Sequence, residues 1–199
     1  MDGARHLPGH LDRAQQRRLV EWLQAHLEEA PWFQPTMPRW GNKLSVRMTN
    51  AGPLGWVADI HGYRYQPTHP DTGRAWPPIP AELLGLWDAL GAFPQPPECC
   101  LINLYRQGAR MGLHQDKDEQ TFAAAVVSVS LGDTAIFRIG GTRRGDPTET
   151  LTLRSGDVVV LGGAARLAYH GIDRVLAGTS ALIPGGGRVN LTLRRVTRG

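Results

Sequence analysis

The sequence predicts a mainly β, α+β fold: an antiparallel double-sheet jelly roll, or double-stranded β-helix, with helices packed on its outside. Three observations carry this. From Cys99 onward, short apolar runs are separated by Gly, Asp, Pro or Arg turns, such as Gly140-Gly141-Thr142-Arg143-Arg144-Gly145-Asp146-Pro147. Arg188-Val189-Asn190-Leu191-Thr192-Leu193-Arg194 alternates polar and apolar residues without a break, which is the period of a strand. Helical spacing is confined to two segments, both upstream of the strand-rich part.

In chain order, Asp12 to Ala30 reads as a helix. Leu19, Trp22, Leu23 and Leu27 fall at helical spacing, Asp12 fits an N-cap, and Pro31 is a stop. The second helix, Ala81 to Leu90, follows Pro80 and places Leu83, Leu84, Trp87 and Leu90 on one side. Both stripes read as core-facing rather than cofactor-binding. Between them, roughly residues 52–80 are rich in Gly, Pro and aromatics, a composition for a partly ordered binding lid rather than a linker. At least half of Trp56, Tyr63, Tyr65 and Trp76 are expected to pack on the domain below. Ile183-Pro184-Gly185-Gly186-Gly187 is a flexible turn from which the last strand starts.

A chain of 199 residues forms one compact domain able to bury a core without crosslinks. Within it, residues 1–44 read as an N-terminal helical extension, 45–98 as lid and supporting helix, and 99–199 as the jelly-roll core. A formal charge of +4 and a pI near 9.5 suit a phosphate-backbone partner without requiring one. Cys99 and Cys100 are adjacent, and Cα atoms about 3.8 Å apart lie below the disulfide range, so both read as reduced strand residues of a cytosolic protein. No apolar stretch follows the N-terminus and no window approaches a membrane span, so the expected location is cytoplasmic, with no membrane partner. No coiled-coil heptad suggests an oligomer, and the chain is read as a monomer.

His-x-Asp occurs three times, so the pattern alone is weak. His10-Leu11-Asp12 leads into a helix start, and His69-Pro70-Asp71 lies in a Pro/Gly-rich loop before a turn. His114-Gln115-Asp116 instead sits between apolar strand-like runs, where alternate residues share a face. His170, 56 residues further on, completes a 2-His-1-carboxylate set of the kind that holds non-haem Fe(II) with open positions for substrate and O₂. The bland alternative is a surface histidine beside an acidic cap, with His170 a core residue. The last strand bears on the choice: it puts Arg188, Asn190, Thr192 and Arg194 on one face. That face is either ordinary solvated charge or, in an iron oxygenase, a grip for a dicarboxylate co-substrate, since guanidinium binds carboxylate bidentately.

Leu101-Ile102-Asn103-Leu104-Tyr105, Leu113 to Glu119, Val127-Ser128-Val129-Ser130-Leu131-Gly132, Gly156-Asp157-Val158-Val159-Val160, Tyr169-His170-Gly171 and Arg188 to Arg194 together resemble the bacterial AlkB family. The resemblance runs in family order from about Ser45 to Arg195. It implies an Fe(II)- and 2-oxoglutarate-dependent dioxygenase that reverses N-alkyl damage in nucleic acid bases. By position it implies His114, Asp116 and His170 as iron ligands, and Asn103, Tyr105, Arg188, Asn190 and Arg194 as the 2-oxoglutarate site. It also implies a nucleotide-recognition lid over residues 48–65, with Trp56, Tyr63, Arg64 and Tyr65 as substrate residues, joined by Asp118 and Arg144. Arg143 reads equally as solvated charge or phosphate contact. One departure stands at Leu161, where bacterial members carry Trp after Asp-Val-Val-Val.

The implied reaction consumes O₂ and 2-oxoglutarate, gives succinate and CO₂, and hydroxylates the N-alkyl carbon of a lesion such as 1-methyladenine or 3-methylcytosine; the hemiaminal then collapses to aldehyde and restored base. The expected partner is alkylated DNA, single-stranded or with a flipped base, because the target atom is inaccessible inside a stack. RNA is a further partner to test. Two other readings remain: the same chemistry on RNA or a protein side chain, and a jelly-roll module that binds damaged bases without repairing them.

Overall fold

Asp12 caps helix α1 (Arg13–Glu29) through a reciprocal pair: its carboxylate accepts from the Gln15 backbone N–H, and the Gln15 side chain accepts from the Asp12 N–H. The computed structural model describes residues 2–198. A strand, β1 (Ala4–Leu7), precedes the helix; β2 (Arg47–Ala51), β3 (Gly55–Asp59) and β4 (Gly62–Gln66) follow it. Then come α2 (Ala81–Leu90), β5 (Cys99–Tyr105), β6 (Met111–His114), β7 (Val126–Gly132) and β8 (Thr134–Gly140). The chain ends with β9 (Thr148–Leu153), β10 (Val158–Leu161), a 3-10 turn at Gly163–Ala165, β11 (His170–Leu176) and β12 (Arg188–Arg194). Both helices lie where their apolar spacing placed them. Strand β1 is new relative to the sequence reading: the first 44 residues hold a helix but also pair an edge strand with β10.

The strands form a six-stranded sheet in the order β1-β10-β7-β12-β5-β2 and a four-stranded sheet in the order β6-β11-β8-β9, all paired antiparallel. A separate hairpin, β3–β4, lies within the segment expected to form a lid. Two apolar layers result. On the outer face of the large sheet, Leu191, Ile102 and Val127 pack on Leu19, Leu23 and Trp87 of the helices. Between the sheets, Leu101, Val159 and Leu161 meet Phe137, Ile139 and Ile172. This is the double-sheet arrangement the turn spacing predicts. Cys99 and Cys100 are free and buried in β5.

Strand β12 carries the alternation into three dimensions. Val189, Leu191 and Leu193 join the helix-side layer, so Arg188, Asn190, Thr192 and Arg194 point between the sheets. All seven residues of the strand are buried. The polar face is therefore not a solvated one, which removes the commoner explanation for such a pattern.

His26 in α1 is buried, its ring centre 5.0 Å from that of Trp22 and tilted 42° to it, with no well-aligned hydrogen bond to either ring nitrogen. Burial pushes it down to about 4. Because the folded value lies below the unfolded one, the contribution to stability is intact above about pH 6.5 and is lost as pH falls toward 4. Urea unfolding at pH 7 and pH 5 should show the protein losing about 1–2 kcal/mol through this residue. His26→Leu should remove that share of the loss; an unchanged difference would refute the assignment.

Candidate active site

His170 opens β11 and lies directly opposite His114, the last residue of β6, with ring centroids 4.6 Å apart. That close approach depends on Gly171: a Cβ there would stand 2.5 Å from the Met111 carbonyl oxygen. The Asp116 carboxylate completes the group. Its Oδ1 is 3.6 Å from His114 Nε2, its Oδ2 is 3.8 Å from His170 Nε2, and one ligand atom from each residue falls within 4.8 Å of the others. Asp116 lies just beyond the end of β6, so the shared strand face accounts for His114 and the loop accounts for Asp116.

The histidine tautomers follow from their partners. Nδ1 of His114 lies 2.9 Å from the Gly112 carbonyl and Nδ1 of His170 lies 2.9 Å from the Ala168 carbonyl. A carbonyl only accepts, so each Nδ1 carries the proton and each Nε2 lone pair faces the shared centre. Burial pushes His170 down to about 4, which keeps it neutral and ligating at neutral pH. Burial alone would raise the Asp116 carboxyl, but Arg194 and the two histidines hold it well below the usual range. The set offers two neutral nitrogens and one anion to a divalent cation. The other two His-x-Asp pairs have local roles: Asp12 caps α1, and buried His69 accepts at Nδ1 from Asp71 and Thr72 N–H groups.

A residue without a signal in the sequence positions the Asp116 loop. Arg166, at the end of the 3-10 turn and almost wholly buried, donates to the Asp116 carbonyl (2.8 Å), the Ala124 carbonyl (3.0 Å) and the Glu119 carboxylate (3.2 Å). Gln115 adds a bond to the Leu167 carbonyl at 2.7 Å. Neither residue stands in a periodic pattern, and their partners lie about 50 positions away, so only the fold pairs them.

Arg188 and Arg194 face the same cavity, of about 760 Å³, that the triad lines. Arg188 is 2% exposed, donates from Nη2 to Ser130 Oγ at 2.9 Å, and lies 5.3 Å from the Tyr105 ring centre. Its Nε and Nη1 have no partner, and it makes no ion pair among the described residues. Arg194 Nη2 sits 2.9 Å from Asp116 Oδ2, close but not aligned as a hydrogen bond, and its Nε is unpartnered. Asn103 Oδ1 is also orphaned, while the Asn190 amide is taken up by Ser128, Val129 and Thr192. Buried polar atoms without partners are costly and rare. Here the orphaned donors converge on one cavity beside a metal-ligand set, which fits an anion with several acceptor oxygens bound next to a cation.

Above the cavity, Trp56 and Tyr63 stack on each other, ring centres 5.6 Å apart and planes 17° from parallel. Trp56 Nε1 donates to Asp118 Oδ2 at 2.8 Å, tying the lid to the metal loop. Tyr65 turns inward: its hydroxyl donates to Glu119 Oε1 at 2.6 Å and accepts from Arg194 Nη1 at 3.1 Å. Trp76 is buried under the lid, so Tyr65 and Trp76 are the half of the aromatic set that packs downward. Arg144, in the β8–β9 turn, lines the cavity, whereas Arg143 does not. Arg64 stands apart from the cavity, its guanidinium held by Asp59 at 2.8 and 3.0 Å. Leu161 lines the wall between the sheets.

The family profile of the 2OG-Fe(II) oxygenase superfamily matches residues 3–194. The chain is 58% identical over 188 residues to the alpha-ketoglutarate-dependent dioxygenase AlkB homolog of Caulobacter vibrioides, covering 94% of this chain and 85% of that one. The chain belongs to the AlkB family. To the AlkB dioxygenase of Escherichia coli it is 46% identical over 182 residues, 89% of this chain and 83% of the relative. The solved structure of OsALKBH1 superposes with a TM-score of 0.83 at 32% identity, covering 97% of this chain and 96% of that one. This AlkB-family chain is an Fe(II)- and 2-oxoglutarate-dependent dioxygenase, with His114, Asp116 and His170 as its facial triad. No helix among the described residues is long and apolar enough to cross a membrane.

Proposed function

We propose that this dioxygenase removes N-alkyl groups from DNA bases, of the 1-methyladenine and 3-methylcytosine type, and thereby repairs alkylation damage as a cytoplasmic monomer. The observation that carries the substrate class is the stacked Trp56–Tyr63 pair over the triad's cavity, coupled to a carboxylate, Asp118, at the same mouth. Family membership supports the reaction type.

Bound iron, 2-oxoglutarate and O₂ supply oxidative decarboxylation to succinate and CO₂ together with hydroxylation of the N-alkyl carbon, whose hemiaminal releases an aldehyde and the restored base. The chain's residues prepare that chemistry. Arg194, beside Asp116, takes the 2-oxoglutarate carboxylate nearer the triad, and Arg188, braced by Ser130 and Tyr105, takes the distal one. Asn103, paired with Asn190 across β5 and β12, contributes its side-chain amide N–H to the co-substrate, and Asn190, locked by three partners, keeps the strand face in place. A base removed from its stack rests on the Trp56–Tyr63 pair, which is worth about 1–3 kcal/mol per aromatic contact. Tyr65 holds the lid down on Glu119 and Arg194, and Arg144 meets the phosphate backbone at the rim. Arg64 serves the hairpin itself through Asp59.

Asp118 faces a lesion that carries positive charge. Asp118→Asn should reduce the preference for 1-methyladenine over adenine more than it reduces iron affinity, read by competition binding and metal titration; equal loss of both would refute the role. The direct test is mass spectrometry of a single-stranded oligonucleotide with one 1-methyladenine, incubated with protein, Fe(II), 2-oxoglutarate and ascorbate. Loss of the methyl mass with the intact protein and not with His114→Ala is the expected result. Retention of the methyl group by folded, iron-loaded protein would redirect the reading to RNA or a protein side chain, with Leu161 the first residue to vary.

A further inference from the structure

Trp40 is 64% exposed, an unusual state for the side chain with the largest apolar surface. It stands in a built turn, not a loose one. Thr36 and Lys43 pair at its base, Met37 N–H donates to Asn42 O (2.8 Å), Gly41 N–H donates to Met37 O (2.9 Å), and Gly41 takes the left-handed backbone (φ +65°) that closes it. The turn is fixed to the lid: Thr36 N–H donates to the Ala58 carbonyl of β3 at 3.0 Å. Its base residues Thr36, Met37, Lys43 and Leu44 line the active-site cavity, so Trp40 rises from the cavity's rim. None of the substrate residues proposed above lies in this turn.

The stretch of chain flanking Trp40 carries charge of one sign. Residues 31–58 contain no Asp or Glu, and their three cations, Arg39, Lys43 and Arg47, are all exposed. Arg39 places its guanidinium 4.8 Å from the Trp40 ring centre, holding the indole by a cation–π contact while leaving its other surface open. A flat aromatic face with cations beside it is the arrangement that binds single-stranded nucleic acid, bases by stacking and phosphates by charge.

We propose that Trp40, braced by Arg39, is a stacking platform for the nucleobase next to the lesion, with Lys43 meeting the intervening phosphate. This rests on the reading of the cavity as a nucleobase site. When a damaged base enters the cavity, its neighbours in the strand must pass over the rim, and Trp40 offers the flat apolar surface there. The platform would let the enzyme favour a lesion within a strand over an isolated nucleotide.

The test uses a short fluorescein-labelled single strand carrying one 1-methyladenine, as DNA and as RNA, read by anisotropy. Trp40→Ala should weaken binding at least about fivefold, the lower end of one base–aromatic stack. Trp40→Phe should retain most of the affinity. Replacing the neighbouring base by an abasic site, on each side in turn, should weaken the wild type similarly on one side and leave Trp40→Ala unaffected. Turnover of 1-methyl-dAMP, which has no neighbouring base, should be the same in Trp40→Ala as in wild type. The dependence appearing with DNA, RNA or both supports the platform and says which strand it serves. Equal binding by wild type and Trp40→Ala, or no strand binding by the wild type, would overturn it. Because anisotropy needs no turnover, a wild type that binds through Trp40 but never loses the methyl group would fail the dealkylation reading and leave the platform standing.

Discussion

His114→Ala is expected to lower iron affinity by at least about a hundredfold and to abolish succinate formation, while the apo-protein unfolds at nearly the wild-type urea concentration. Loss of a histidine's outer partner alone typically costs 10–100-fold in metal affinity, and here the ligand itself is removed. His114 is 40% exposed at its side chain, which among the described residues hydrogen-bonds only to the Gly112 carbonyl two residues away, so little of the fold depends on it. Asp116→Ala should lose iron equally but behave differently as a fold. It leaves buried Arg194 without the carboxylate 2.9 Å from its Nη2, a change that costs about 3–5 kcal/mol for a buried pair. Anaerobic calorimetric titration with Fe(II) and urea melts of both variants check this. Equal stability of the two would show that Arg194 does not rely on Asp116.

Arg188→Met should act in opposite directions on co-substrate binding and on stability. The KM for 2-oxoglutarate should rise at least about thirtyfold, since truncating one partner of a buried, hydrogen-bonded charge pair costs upward of about 2 kcal/mol. The apo-protein should be as stable as the wild type or more so, because the substitution removes a buried guanidinium with unpartnered Nε and Nη1 and fills the space with an apolar chain. A residue that served the fold would show the reverse, destabilisation with an unchanged KM. That result would remove Arg188 from the 2-oxoglutarate site.

These expectations depend on features of unequal visibility. The helices were legible because their apolar residues recur at 3.6-residue spacing and their ends carry a cap at Asp12 and a stop at Pro31. Strand β1 was not, since Ala4 to Leu7 is too short to show a period and is defined by pairing with β10. The His-x-Asp motif occurs three times in the chain, and only the register that sets His170 opposite His114 distinguishes the one that ligates. Glu119 and Arg166 could not be found by pattern, because 47 residues separate them and neither repeats. The pairing of Arg64 with Asp59 across the hairpin has no signal in the sequence either, because it follows from the register of β3 and β4.

By itself, the sequence determined the alternation of strand β12, the helix positions, the jelly-roll class and the chemistry-bearing residue types, because each of these is a local property of composition and period. Tertiary structure alone decided that the polar face of β12 is buried, that His114, Asp116 and His170 meet, and that orphaned donors of Arg188 and Arg194 open on their cavity. The physical reason is that a strand's period states which residues share a face, whereas what that face meets depends on sheet order and on contacts between residues 50 or more positions apart.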